Sequence, residues 1–108
     1  MEEIIQIKNL DILKERRRGL RSALALFYVY VEKVDALNRA TISKDVLAAE
    51  LHVSARTVKN WAKALTDVGA IKYKYSGSAR LNPDIYFNGT KENYIKAQEE
   101  YKLFRGDL

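Results

Sequence analysis

From Gly19 to about Leu37 the apolar residues run almost without a break. Leu20, Leu24, Phe27, Val31 and Val34 recur at spacings of four and three, the period of one helix face, while Leu26, Val29 and Tyr30 are apolar on other faces. The spacing predicts a helix buried on more than one side. In so small a chain, this implies that a partner subunit covers one of them. Two shorter amphipathic segments come next. Ser43 is placed to cap a helix from Lys44 to about Leu51, with Asp45 at the positive end of its dipole. Leu47, Ala48 and Leu51 form its inner stripe, and Val53 closes a turn beneath it. Ser54 then caps another helix, whose buried stripe is Val58, Trp61, Ala62 and Leu65 and which ends near Gly69.

The outward positions of that last helix are Ala55, Arg56, Lys59, Asn60 and Lys63. Two helices joined by a tight turn, the second with a basic and hydrogen-bonding face, form the helix-turn-helix pattern of duplex readers. The turn position most often held by Gly is His52 here. One residue of such a turn adopts positive φ, which His tolerates better than most side chains.

Ala70-Ile71-Lys72-Tyr73-Lys74-Tyr75 alternates apolar and basic residues with period two. It predicts a strand with Ile71 and Tyr73 inward and the lysines outward. Ser76-Gly77-Ser78 reads as a turn and Ala79-Arg80-Leu81 as the returning strand. A hairpin directly after a recognition helix is a wing, with Lys72, Lys74 and Arg80 laid along a phosphate backbone. Asn82-Pro83-Asp84 reads as the start of a short helical turn through Ile85-Tyr86-Phe87, stopped at Asn88-Gly89. Thr90 caps a final helix to about Arg105 with the stripe Tyr94, Ala97, Tyr101 and Phe104. The first 18 residues admit two readings. Ile5 and Ile7 alternate like a strand, while Leu10, Leu13 and Leu20 suit a backward extension of the long helix.

The expected architecture is therefore mainly α with a small β-hairpin: a winged helix-turn-helix extended by N- and C-terminal helices. Residues 1–108 form one domain, with an arm or helix extension at 1–18, the core at 19–89 and the last helix at 90–108. Leu26, Tyr30, Tyr94, Tyr101 and Phe104 are the candidate dimer contacts.

Composition narrows the function. The net charge is +5 over 108 residues. Between Ser54 and Arg80 six cations stand against the single acid Asp67, so the remainder is neutral overall. A surface of that kind attracts polyanions. Arg16-Arg17-Arg18 and Arg21 form a second basic cluster, suited to a DNA-contacting arm or simply to a solvated helix face. Cys is absent, which excludes a disulfide framework, a thiolate nucleophile and a zinc finger. No run approaches the roughly 20 apolar residues of a membrane span, and the start lacks a basic signal region, so a cytoplasmic protein is expected. His52 is the only His, no acidic pair is spaced for general acid–base work, and no glycine-rich phosphate loop is present. No enzyme, cofactor or metal is expected.

Residues 41–89 resemble the RepL-type replication proteins of Gram-positive plasmids. The resemblance is carried by Leu47-Ala48-Ala49-Glu50-Leu51, Thr57-Val58, Gly69-Ala70-Ile71-Lys72 and Leu81-Asn82-Pro83-Asp84-Ile85-Tyr86-Phe87-Asn88-Gly89. It implies a plasmid or phage setting and a role in replication or maintenance. The leading expectation is a sequence-specific binder of double-stranded DNA, a homodimer on an inverted or direct repeat. Arg56 and Lys59 are candidates for guanine and Asn60 for adenine, with Ser54, Thr57 and Lys63 on phosphates. Transcriptional regulation, a centromere-binding partition role and protein–protein interaction are the alternatives.

Overall fold

The computed structural model describes residues 3–11, 13 and 20–108. In chain order its elements are strand β1 (Ile4–Lys8), helix α1 (Leu20–Lys33), strand β2 (Arg39–Thr41), helices α2 (Lys44–Leu51) and α3 (Ala55–Asp67), strands β3 (Ile71–Tyr73), β4 (Ser78–Leu81) and β5 (Tyr86–Thr90), and helix α4 (Lys91–Leu103). Leu10, Asp11 and Leu13 also carry helical backbone. The cluster Arg16-Arg17-Arg18 lies outside the described residues.

Helix α1 packs against α3 and α2. Leu20, Ala23, Leu24, Leu26, Phe27 and Tyr30 are all buried, so it is covered on more than one side, but by its own chain. This corrects the expectation that Leu26 and Tyr30 meet a partner subunit. Both are fully enclosed, at 0% exposure. They belong to one core built from α2, α3 and the hairpin strands, to which the chain before α1 adds Leu10 and Leu13. Burial, and then the neighbouring Tyr73, pushes the Tyr30 hydroxyl well above the ordinary tyrosine range. Neither hydroxyl of this pair has a hydrogen-bond partner among the described residues.

The strands form two small antiparallel sheets, β1-β5 and β2-β4-β3. In the first, Ile5 lies opposite Gly89 and Ile7 opposite Phe87, so the alternation of Ile5 and Ile7 is that of a strand. In the second, Ala79 lies between Ala40 and Tyr73, and all three are buried. Strand β2 was not expected; three residues are too few to display a period.

A second correction concerns Asn82-Pro83-Asp84, which does not start a helix. The Asn82 carboxamide oxygen accepts from the Asp84 N–H (2.9 Å) and its Nδ2 donates to the Gly69 carbonyl (2.8 Å). The backbone N–H groups of Ile85 and Tyr86 both donate to the Asn82 carbonyl. An Asn side chain bonded to its own backbone two residues on makes a turn that competes with a helix start. The chain leaves that turn extended, as β5. Ile85 and Phe87 are buried and Asn88 is exposed, a period-two pattern that suits pairing with β1.

The loop from α1 to β2 is organised by Asp35. Its carboxylate accepts from the N–H groups of Leu37 (2.9 Å) and Arg39 (3.0 Å) and from Arg39 Nε (2.7 Å). Burial alone would raise this carboxyl, but the hydrogen bonds and the Arg39 charge hold it below its ordinary value. A lowered folded-state value stabilises the protein above the unfolded-state value of about 4, and the contribution is lost as pH falls through the lowered value. Asp35→Ala is therefore expected to lower the melting temperature at pH 7 and to converge on the parent protein toward pH 2. Melts across that range are the check, and a gap that persists in acid would remove the ionised carboxylate as its cause.

Candidate nucleic-acid interface

The first half of the interface is built by two helix caps and one strained turn. Ser43 Oγ accepts from the Val46 N–H (3.2 Å) and starts α2. That helix closes at His52, which takes the left-handed conformation at φ 57°, and the Val53 N–H returns to the Ala48 carbonyl (3.0 Å). His52 thus occupies the positive-φ position expected for it. Ser54 Oγ then accepts from the Thr57 N–H (3.1 Å) and lies 3.0 Å from Thr57 Oγ1, starting α3.

The period of α3 settles which side chains face out. Val58, Ala62 and Leu65 are buried, and Trp61 is half-buried against the core. Arg56, Lys59, Asn60 and Lys63 are exposed, with Ala55 and Thr57 half-buried at the start of the helix. None of the three cations forms an ion pair with another described residue. The result is an exposed basic face along most of the helix.

The hairpin β3–β4 comes after α3 as expected, but its cations are placed differently. Ile71 and Tyr73 point inward and are buried, so Lys72 and Lys74 lie on the outer face. That face is covered by α4 and the chain beyond it. Lys72 Nζ donates to the Tyr101 carbonyl (2.6 Å), at the negative end of the α4 dipole, and sits 4.6 Å from the centre of the Tyr101 ring. Lys74 and Arg80 flank the Phe104 ring at 4.9 and 4.4 Å. Arg80 Nε also meets Glu100 Oε1 at 3.1 Å, and Arg39 reaches the other Glu100 oxygen at 3.8 Å. Lys72, Lys74 and Arg80 are brought together, but as partners of the C-terminal segment.

The aromatic stripe of α4 serves the same packing. Tyr94 donates to Asp84 Oδ1 (2.9 Å) and its ring lies 5.2 Å from Phe87. Tyr101 donates to the Gly69 carbonyl (3.3 Å); burial first, and the Asp84 charge second, push its hydroxyl up to about 12. Tyr94, Tyr101 and Phe104 are half-buried against their own chain. The apolar side chains that α4 leaves exposed are Ile95 and Leu103. Beyond α4, the Asp107 N–H donates to the Tyr73 carbonyl (2.8 Å) and its carboxylate accepts from the Tyr75 N–H (2.9 Å). Gly106 lies so close to β3 that a Cβ there would sit 2.8 Å from the Tyr73 carbonyl oxygen.

Two side chains that sequence reasoning did not single out join the basic face. Tyr75, at the hairpin turn, is 47% exposed. Lys59 Nζ lies 5.1 Å from its ring centre and Lys44 Nζ, from the first turn of α2, 5.9 Å. The alternation Lys72-Tyr73-Lys74-Tyr75 could have flagged an aromatic at the turn, but the approach of Lys44 depends on the tertiary fold. Among the described residues no group of three or more His, Asp or Glu side chains is placed to hold a metal ion, and no helix is long and apolar enough to cross a membrane.

Searches of curated proteins and of solved structures returned no significant match. The family described as Firmicute plasmid replication protein (RepL) matches residues 4–106. That span begins at β1 and runs past α4 to the tail lying on β3, so it takes in both sheets, the exposed face of α3 and the segment that covers the hairpin cations. The chain belongs to the RepL family of Firmicute plasmid replication proteins.

Proposed function

We propose that the chain is a sequence-specific double-stranded DNA-binding protein acting in plasmid replication, folded as a winged helix-turn-helix with α3 as the recognition helix. The observation that carries this reading is the outer face of α3, where Arg56, Lys59, Asn60 and Lys63 stand exposed beside one another. A helix of this kind fits the major groove, where Arg pairs with guanine O6 and N7 and Asn with adenine N6 and N7. Arg56 and Asn60 take those roles. Lys63, with the Ser54 and Thr57 hydroxyls at the helix start, holds phosphates. Because Lys72, Lys74 and Arg80 are engaged by the C-terminal segment, the electrostatic weight falls on α3 rather than on the wing strands.

The reading includes a homodimer on an inverted or direct repeat, in the cytoplasm, without catalysis or cofactor. For two-fold related recognition helices the half-sites would lie roughly 10 bp apart. With Leu26 and Tyr30 enclosed, Ile95 and Leu103 are the α4 side chains left to meet a second copy.

The test is selection of duplexes from a randomised pool, then fluorescence anisotropy on the selected and a scrambled duplex. A preference of about a thousandfold is expected. Asn60→Ala is expected to cost about 1–3 kcal/mol on the selected duplex and to relax one base position. Equal affinity for both duplexes would refute sequence-specific recognition.

A further inference from the structure

Lys59, Tyr75 and Lys44 come from three separate elements, and their convergence assigns a binding role that the exposed face of α3 alone does not. Tyr75 sits at the hairpin turn with its backbone N–H held by Asp107 (2.9 Å) and its ring edge-on to the buried Tyr73, centres 6.3 Å apart at 86°. It is thus oriented from behind while nearly half of it faces solvent. Lys59 leans from the second turn of α3 toward this ring, and Lys44 leans from the start of α2. Neither ammonium has a carboxylate partner among the described residues. The hairpin cations are taken up by α4 and the residue after it: Lys72 by the Tyr101 carbonyl, Lys74 by the Phe104 ring, and Arg80 by that ring and by Glu100.

We propose that Lys44, Lys59 and Tyr75 form one phosphate-backbone contact site, gripping the strand that borders the groove entered by α3. This deepens the DNA-binding reading, on which it rests. The two ammonium groups neutralise neighbouring phosphates, and the Tyr75 ring holds both toward the wing and packs on the sugar between them. Lys59 is then a positioning and affinity residue, and the base-reading work of α3 is left to Arg56 and Asn60. A lysine bound to phosphate weakens all sequences alike when it is removed and contributes to the salt dependence, whereas one bound to a base edge changes sequence preference.

Lys44→Ala, Lys59→Ala, Tyr75→Ala and Tyr75→Phe are measured by anisotropy on the selected and the scrambled duplex across a salt series, with circular dichroism to confirm folding. Each lysine variant is expected to lose about five- to tenfold in affinity at 0.1 M salt on both duplexes, and to lower the slope of log affinity against log salt by about one. Tyr75→Ala is expected to weaken both duplexes equally, and Tyr75→Phe, which keeps the ring, to bind like the parent. If Lys59→Ala instead erases preference at one base position with the slope unchanged, Lys59 reads a base and the proposal fails. Folded Lys44→Ala and Tyr75→Ala proteins that bind like the parent would also overturn it, reducing the cluster to packing. In both of those cases the parent protein still binds DNA. A parent that binds no duplex at low salt would overturn the DNA-binding reading itself, and this site with it.

Discussion

Asn38→Ala is expected to destabilise the protein by about 3 kcal/mol or more, a large part of the roughly 5–15 kcal/mol typical of a domain. Asn38 is the one buried polar residue among those described, at 3% exposure, and it lies at φ 60°. Asn accepts this left-handed backbone more readily than Ala, which is penalised by about 1 kcal/mol or more. Its Nδ2 donates to the carbonyls of Leu81 (3.3 Å) and Tyr86 (2.7 Å), and its own carbonyl accepts from the Leu81 N–H (3.0 Å). One carboxamide therefore ties the end of β4 to the start of β5. Removing it leaves two carbonyls short of a partner, at about 1–3 kcal/mol each where they are buried. Urea denaturation is the measurement. Asn38→Gly restores the backbone freedom but not the hydrogen bonds, and should recover only about 1 kcal/mol of the loss. Full recovery by glycine would mean that backbone strain, not the lost hydrogen bonds, dominates.

The second large effect is expected at the hairpin turn. Gly77 has φ 103°, and a Cβ on it would lie 2.8 Å from the Ile42 carbonyl oxygen and 3.0 Å from the carbon bonded to it. Its own carbonyl accepts from the Ile42 N–H (3.0 Å), so the turn is pinned to the chain just before α2. Gly77→Ala meets both a backbone conformation unfavourable to L residues and a backbone atom that cannot give way. A loss of about 2–4 kcal/mol is expected, which at about 4–8 °C per kcal/mol is a drop of roughly 8–30 °C in melting temperature. The neighbouring Ser76, exposed on the same turn, gives the control: Ser76→Ala should change stability by less than about 0.5 kcal/mol. Comparable losses in both variants would show that the turn tolerates no change at all, rather than this one Cβ.

Where the pattern extended over several residues, the sequence was an adequate guide. The stripes of α2 and α3, the caps Ser43, Ser54 and Thr90, the left-handed His52 and the β3–β4 hairpin all arose from local spacing and cap chemistry. The errors arose where long-range contacts decide. Leu26 and Tyr30 look like surplus apolar surface until the whole core, with Leu10 and Leu13 from the chain before α1, is assembled. Asn82-Pro83 carries a good helix-start signal, yet the Asn82 carboxamide reaches Gly69, and β1 supplies a pairing partner for Tyr86 to Thr90. The alternation of Lys72 and Lys74 correctly put both on the outer face, but could not say that Phe104 and the end of α4 occupy it. Of the candidate interface, the exposed side chains of α3 were legible. The contribution of Tyr75 and Lys44 was not, because it arises from three elements meeting at one corner.

The sheet order β2-β4-β3 leaves β3 at a margin, with its own Ile71 and Tyr73 side chains buried. An unpaired strand margin next to apolar side chains is a template for adding a strand from another molecule. Here residues 106 and 107 already occupy it, through the close approach of Gly106 and the two Asp107 hydrogen bonds. Residues 106 and 107 thus cover main-chain groups with which a strand from another molecule would otherwise pair. At high concentration, neighbouring molecules meet a charged cover where the β3 main chain would otherwise lie open.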